Sequence, residues 1–352
     1  IMVYEVSILL LAGVFFYGLN HKRDAVYDEV LEKFPKYRIG DILQSVCIAE
    51  AVWHCTEYVN GLSNHAHYVE FRYILIWLFL AMIATFTKKE LLSIANAVYL
   101  VVVVIAGIIY KVCFPGALEE EDLMLLTIYV AAAGGVLTIN VIRSLFRKQL
   151  GHVNIVYAVF LAVLAALMIV FRHKWVWPIV MTVMFLISFL RFGVWKRKGI
   201  FLQNLANGIL LSFAVMLIQS LLHRPYHYFM YVRYPMYFHT STTAAVYQTA
   251  VLCAALARYF SKARHSGRLA DTWKELLMVG VVAGYLLMTL SRTGYVAILV
   301  TGAVLLFVTT KGKGKEWFAK AGKRLLSLFL SVLLGLPVVF TATRTIPAVV
   351  ND

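Results

Sequence analysis

The sequence predicts an all-α protein: a polytopic bundle of about twelve transmembrane helices that form a single integral membrane domain over residues 1–352. Hydrophobic residues make up 61% of the 352 residues, and the mean hydropathy is +0.78. Only 14% of the residues are charged, whereas soluble domains average about 25%. Many apolar runs approach or exceed the roughly 18 residues that cross a bilayer.

Short charged or turn-rich connections separate the predicted spans. The second span is the weakest because it carries Glu50, His54 and Glu57, for which we expect hydrogen bonds between helices rather than catalysis. The predicted spans are Met2–Gly18, Ile42–Tyr58, Tyr73–Thr87, Leu91–Val112, Leu123–Val141, Val153–Phe171, Trp175–Phe192, Phe201–Leu222, Thr242–Tyr259, Trp273–Leu290, Arg292–Thr310 and Leu325–Phe340. Because the chain begins with Ile1 and stops just after an apolar segment, we expect it to be a fragment.

The distribution of Lys and Arg over the connections predicts the orientation. Alternate connections hold 25 of the 33 basic residues, and the other set holds 8. Connections rich in Lys and Arg stay on the cytoplasmic side, so the sparse set is predicted to be exoplasmic. The net charge of +15 is therefore mainly a topology signal, and it needs no nucleic acid as a partner.

A 38-residue apolar run from Trp273 to Thr310 is interrupted at Ser291-Arg292-Thr293-Gly294. At 1.5 Å per residue this run is about 57 Å long, roughly twice the thickness of a bilayer core. The run must therefore contain two spans, and the tetrapeptide is predicted to be the break between them. The orientation makes Arg292 exoplasmic, where an arginine at a membrane rim is costly unless it binds something.

A second predicted exoplasmic feature is the connection at residues 223–241, which reads HRPYHYFMYVRYPMYFHTS. It contains Arg224 and Arg233, three histidines and many aromatic residues, but no Asp or Glu. Tyrosines collect at membrane interfaces, which accounts for many of the aromatic residues but not for Arg233 among them. A guanidinium binds phosphate bidentately and keeps its charge, so Arg233 and Arg292 together would suit a pyrophosphate beside a lipid tail.

These two features resemble the signature of the O-antigen ligase and Wzy polymerase superfamily. The stretch SRTGYVAILVTGAVLLF is similar to its Ser-Arg-(Ser/Thr)-Gly tetrad at the start of a span. The stretch RYPMYFHTSTTAAVYQ, from Arg233 to Gln248, is similar to its exoplasmic arginine followed by an aromatic residue and a small-polar helix start. The two stretches lie about 60 residues apart with two spans between them, and the likeness covers about 120 residues, Leu222–Phe340.

The resemblance implies a GT-C-like, metal-independent membrane glycosyltransferase without a cofactor. It would transfer or polymerise a glycan from an undecaprenyl-diphosphate-linked donor to a glycan or lipid acceptor, on the exoplasmic side of the cytoplasmic (inner) membrane. Arg233 and Arg292 would be catalytic, because they would stabilise the diphosphate leaving group. His239 is the best base within the chain, although a structural role is its alternative. The substrate-binding residues that we expect are Arg224, Tyr234, Ser291, Thr293 and Arg344.

Residues 341–352, which read TATRTIPAVVND, resemble the start of the large exoplasmic loop that this family carries late in its chain. The family's further basic and catalytic residues lie in that loop. A polymerase and a ligase remain open as alternatives. A transporter or flippase of lipid-linked oligosaccharide is the competing class, and it predicts internal repeats and charges near the bilayer midplane. We find no internal repeat, and the basic residues lie at the predicted rims.

Overall fold

The computed structural model describes residues 39–63, 71–84, 86, 91–114, 121–146, 198–223, 233–265, 269–310, 312 and 314–351. These ranges contain helices and no β-strand, which confirms the predicted all-α class for this part of the chain. The α-helices within them are α1 Ile39–Ser63, α2 Phe71–Ile83, α3 Ile94–Cys113, α4 Glu121–Phe146, α5 Lys198–His223, α6 Ser241–His265, α7 Trp273–Met288, α8 Arg292–Thr309 and α9 Lys315–Asn351. A short 3-10 helix, Leu269–Thr272, leads into α7.

Three of these helices are long and apolar enough to cross a membrane. They contain the segments Ile94–Cys113 in α3, Ile200–Leu222 in α5 and Lys315–Val350 in α9, with 20, 23 and 36 residues respectively. Shorter apolar helices cover Phe71–Ile83, Leu125–Asn140 and Gly294–Phe307. The described helices thus support the membrane character of the predicted class, but they do not reach its count of about twelve spans.

The difference between the predicted number of spans and the number of described helices that could cross a membrane has identifiable sources. Helix α7 has 16 residues and is therefore about 24 Å long, shorter than a bilayer core. Polar and charged residues such as Glu50 in α1 and Arg258 in α6 interrupt the apolar character of those two helices. The predicted spans Met2–Gly18, Val153–Phe171 and Trp175–Phe192 lie outside the described residues.

The chain divides into two compact units. Unit 1 comprises Ile1–Cys47 and Glu70–Leu202, and unit 2 comprises Ile48–Val69 and Gln203–Asp352. In unit 1, α4 packs against both α2 and α3. The Tyr99 hydroxyl of α3 donates to the Ala131 carbonyl of α4 at 2.7 Å, and the Tyr99 ring lies against Gly135, where a side chain would collide with it.

Unit 2 contains the predicted site, and its helices pack around α7. Helices α6 and α8 run in the same direction: Ala245 near the start of α6 lies beside Gly294, and Cys253 further along contacts Thr301 in α8 at 3.8 Å. Helix α7 runs against α6, since Lys262 near the end of α6 pairs with a glutamate in the first turn of α7 at 3.0 Å. The starts of α6 and α8 and the end of α7 therefore lie together, at what we call the α7–α8 end.

Helices α7 and α9 are parallel and touch through glycines. The Ser331 hydroxyl of α9 donates to the Leu276 carbonyl of α7. One turn further on, Gly280 lies against Gly335 so closely that a Cβ on either glycine would collide with the backbone of the other helix. The constant offset between these partners brings the last turns of α9 to the α7–α8 end.

Helix α9 extends well beyond the predicted span Leu325–Phe340. It begins at Lys315, continues through Pro337 and Pro347, and ends at Asn351. Residues 341–351, which we predicted to start an exoplasmic loop, are helical here. The Thr343 hydroxyl donates to the Val339 carbonyl at 2.6 Å and lies 3.4 Å from the Tyr285 hydroxyl, so packing against α7 supports this extension.

Candidate functional site

A break in the long apolar run is confirmed, because α7 ends at Met288 and α8 begins at Arg292. The break comprises residues 289–291, whereas Arg292, Thr293 and Gly294 of the predicted tetrapeptide lie in the first turn of α8. Between them, Leu290 has the left-handed backbone angle φ = 50°, which a non-glycine residue rarely adopts. The Thr289 hydroxyl donates to the Leu286 carbonyl at 2.7 Å, and the Ser291 amide donates to that hydroxyl at 3.3 Å. The Thr289 hydroxyl thus both donates and accepts a hydrogen bond within the turn that reverses the chain direction.

The loop that precedes α6, residues 233–240, docks onto this turn. The backbone amide of Tyr234 donates to the Met288 carbonyl, the last of α7, at 3.2 Å. Further along the loop, the Phe238 amide donates to the Pro235 carbonyl at 3.0 Å. Met236 between them has φ = 53°. Among the described residues, the two non-glycine residues with a left-handed backbone thus lie in the two segments that carry the predicted arginines.

Aromatic contacts with helices α6 and α7 hold the 233–240 loop in place. Tyr234 is 1% exposed, and its ring lies 6.2 Å from that of Tyr285 in α7. Phe238, also buried, pairs with Tyr247 of α6 at 5.3 Å. Sequence reasoning assigned Tyr234 to substrate binding, which stays a prediction; the structure shows its side chain packed in the interior, where it anchors the loop.

Both predicted catalytic arginines are exposed at the α7–α8 end. Arg233 directly precedes Tyr234, whose amide donates to the Met288 carbonyl. Arg292 lies four residues after Met288. Neither guanidinium makes a hydrogen bond or an ion pair with any residue in the described ranges. Two cations without a counter-charge among the described residues thus flank one backbone hydrogen bond, an arrangement that attracts an anion.

Helix geometry adds further positive potential at the same place. Helices α6 and α8 both begin there, and the first amides of a helix carry a partial positive charge. Ser291 occupies the N-cap position of α8, and its side chain makes no capping hydrogen bond. At α6, Thr240 supplies the cap, because its hydroxyl accepts a bond from the Thr243 amide at 3.2 Å.

Comparison of the chain with protein-family models, with curated proteins and with solved structures gives no match. The assignment of a function therefore depends on the residues and their geometry.

The other residues predicted for the site have different placements. Thr293 lies in the first turn of α8, and Ser291 is buried at the turn. Arg344 is exposed on the last turns of α9, at the height of the α7–α8 end. Arg224 lies outside the described residues. Gly294, the last residue of the tetrad, has a packing role: a Cβ there would lie 2.9 Å from Leu286 Cδ1.

His239 is exposed at the end of the 233–240 loop, and helix α1 holds its backbone. The His239 amide donates to the Asn60 Oδ1 of α1 at 3.2 Å, and Asn60 is 6% exposed. Two turns earlier in α1, the Trp53 ring lies 5.6 Å from that of Tyr237. Sequence reasoning missed this contribution of α1, because only the fold brings residues about 180 positions apart into contact.

Proposed function

We propose that this chain transfers or polymerises a glycan from an undecaprenyl-diphosphate-linked donor, at a site on the outer face of the cytoplasmic membrane. The observation that supports this most strongly is the pair of exposed arginines, Arg233 and Arg292, at one end of unit 2. Their segments are joined by the 3.2 Å bond from Tyr234 to Met288. The likeness to the O-antigen ligase and Wzy polymerase superfamily, and a GT-C-like bundle of about twelve spans, belong to the same proposal.

The two arginines would act on the leaving group. When the acceptor hydroxyl attacks the first carbon of the donor sugar, the bond from that carbon to the diphosphate oxygen breaks. The electron pair stays with the diphosphate, which gains negative charge in the transition state. Two guanidinium groups whose backbone segments are held together can stabilise that charge, and electrostatic stabilisation of this kind is often the largest catalytic term. The amides at the start of α8 would add to this stabilisation.

The surface beside Arg292 suits a lipid-linked substrate. From the second turn of α8 onward, Val296 and Leu299 are 60% and 72% exposed. Apolar side chains in such exposed positions are stable in contact with lipid hydrocarbon chains. A polyprenyl tail could therefore lie along α8 while its diphosphate lies at the arginines.

A transfer assay with the full-length protein in liposomes tests the proposal. The variants are Arg233→Ala and Arg292→Ala, and the donor is an undecaprenyl-diphosphate-linked glycan with a labelled acceptor. We expect each variant to lose about 100-fold or more in turnover, the usual effect of removing one transition-state donor. Arg258→Ala is the matched control: Arg258 is also exposed, but it binds Asn207 in α5 at the opposite end of α6.

The outcomes separate the competing functions. Loss in both arginine variants with activity retained in Arg258→Ala supports the proposal. Transfer retained in both arginine variants contradicts it. Movement of the donor across the membrane without any transfer would instead identify a flippase.

A further inference from the structure

Helix α1 presents one face to the 233–240 loop. Trp53 contacts Tyr237 and Asn60 contacts the His239 amide, so the residues between them on that face lie alongside the loop. Glu57 follows Trp53 by four residues and precedes Asn60 by three. At 3.6 residues per turn these spacings place all three residues on the same side of the helix. Glu57 therefore lies next to the loop that carries Arg233 and His239.

No hydrogen bond or ion pair within the described residues accounts for a carboxylate at position 57. Glu57 is half-buried, and it makes no hydrogen bond or ion pair with any part of the chain that the structure describes. Glu57 also interacts electrostatically with His54, three residues earlier on the same helix. A partly buried carboxylate is seldom left without a partner. A carboxylate on the helix face next to the loop that carries Arg233 and His239 indicates a role with a substrate.

We propose that Glu57 is the general base that activates the acceptor hydroxyl; this inference rests on the proposed function. The Glu57 carboxylate takes the proton as the acceptor O–H bond breaks, and the acceptor oxygen forms its bond to the first carbon of the donor sugar. The bond from that carbon to the diphosphate breaks, and its electron pair leaves with the diphosphate held by Arg233 and Arg292. The proton then passes from Glu57 to water. The acceptor is thus a molecule with a nucleophilic hydroxyl, such as a sugar.

Asn60 would be a positioning residue in this arrangement. Its bond to the His239 amide fixes the loop against α1, and so it sets the separation between the Glu57 carboxylate and the arginines. A general base must lie within hydrogen-bonding reach of the proton that it removes, so this separation controls whether acceptor and donor meet in the correct geometry.

The test uses the full-length protein in liposomes and measures glycan transfer and the binding of undecaprenyl diphosphate separately. Glu57→Gln keeps the shape of the side chain but cannot take a proton. We expect it to lower turnover by about 100- to 10,000-fold, the range for a lost general base, with lipid binding changed by less than about threefold. The matched control is Glu50→Gln, two turns away on the same helix, and it should retain wild-type transfer.

Chemical rescue distinguishes a base from a structural residue. In Glu57→Ala, added formate should restore part of the lost transfer, because it can occupy the space of the missing carboxylate. Formate should restore none in Arg292→Ala. Undiminished transfer in Glu57→Gln overturns the inference, and so does a loss that is accompanied by lost lipid binding and is not rescued by formate. Loss of transfer in His239→Gln but not in Glu57→Gln would give the role to His239.

These outcomes are distinct from failure of the proposed function. If the wild-type protein transfers no glycan, the proposed function and this inference both fail. If the wild-type protein transfers glycan and both arginine variants do not, while Glu57→Gln remains fully active, only the role of Glu57 is wrong.

Discussion

The amide of Tyr234 donates to the carbonyl of Met288 at 3.2 Å, and this bond ties together the two segments that carry Arg233 and Arg292. The carbonyls of the last turn of a helix have no partner within that helix. At the end of α7, the Thr289 hydroxyl satisfies Leu286, and Tyr234 satisfies Met288. The separation of the two arginine segments is thus set by a backbone bond, which does not depend on flexible side chains.

Replacing Tyr234 tests the anchoring of this loop. The buried ring contacts Tyr285, so Tyr234→Ala should leave a cavity and lower the free energy of unfolding by about 3–5 kcal/mol. Chemical denaturation in detergent micelles measures the change. Val246→Ala is the control, because Val246 is 65% exposed on α6 and its truncation should cost less than about 0.5 kcal/mol. Equal stability of the two variants would contradict the anchoring role.

Leu290 allows a test of backbone strain at the turn. Its left-handed conformation costs about 1–2 kcal/mol for an ordinary residue and more for a β-branched one. Leu290→Ile should therefore be less stable than Leu290→Gly by about 1–2 kcal/mol. Leu290 is 55% exposed, so packing contributes little to the comparison. Identical unfolding curves for the two variants would show that the turn does not require this conformation.

The hydrogen bond from the His239 amide to Asn60 predicts that replacing Asn60 changes the mobility of the 233–240 loop alone. Asn60→Leu removes the acceptor for the His239 amide at nearly constant volume, and hydrogen exchange at residues 237–240 should become about 3- to 10-fold faster, equivalent to roughly 0.5–1.5 kcal/mol. Thr56→Val is the control, since within the described part of the chain the Thr56 hydroxyl donates to the Trp53 carbonyl of its own helix and not to the loop. Unchanged hydrogen exchange in Asn60→Leu would show that α1 does not hold the 233–240 loop.

The glycine contact between α7 and α9 predicts a loss of stability. A Cβ on Gly280 would collide with the Ser331 carbonyl, so Gly280→Ala should separate the helices and cost about 1–3 kcal/mol. Gly302→Ala on α8 is the control, because nothing lies within 4 Å of its added methyl, and it should be neutral or stabilising by about 1 kcal/mol. The two variants are compared by their thermal unfolding midpoints. A midpoint for Gly302→Ala below that of Gly280→Ala would contradict the close contact between α7 and α9.

The sequence allowed a break in the 38-residue apolar run to be predicted, because a run of that length cannot be one span. The break was predicted at residues 291–294 and is found at residues 289–291, so Ser291 is the residue common to both. The observed limits of α8 differ from the prediction by one residue. Other features depend on tertiary contacts that composition does not contain. The burial of Tyr234, the clamp by Asn60 and the extension of α9 past Pro337 each depend on a neighbour distant in sequence.

Helix α1 shows most clearly that the sequence does not predict features that depend on tertiary contacts. Its glutamates made Ile42–Tyr58 the weakest predicted span, and they suggested hydrogen bonds between helices. The structure leaves Glu57 without such a bond to any described residue and places it on the face next to the 233–240 loop. A residue that weakens a hydropathy signal thus lies on the helix face that the fold brings next to the 233–240 loop.

The central claim, that Arg233 and Arg292 bind one diphosphate, is tested most directly by a double-mutant cycle on the binding of undecaprenyl diphosphate to the full-length protein. Each Ala variant should weaken binding by about 10- to 100-fold, as expected for a lost charged hydrogen bond. The loss in the double variant should differ from the product of the two single losses by at least about twofold, because residues that share a ligand are coupled. Unchanged affinity in either single variant, or losses that multiply without coupling, would contradict a shared site.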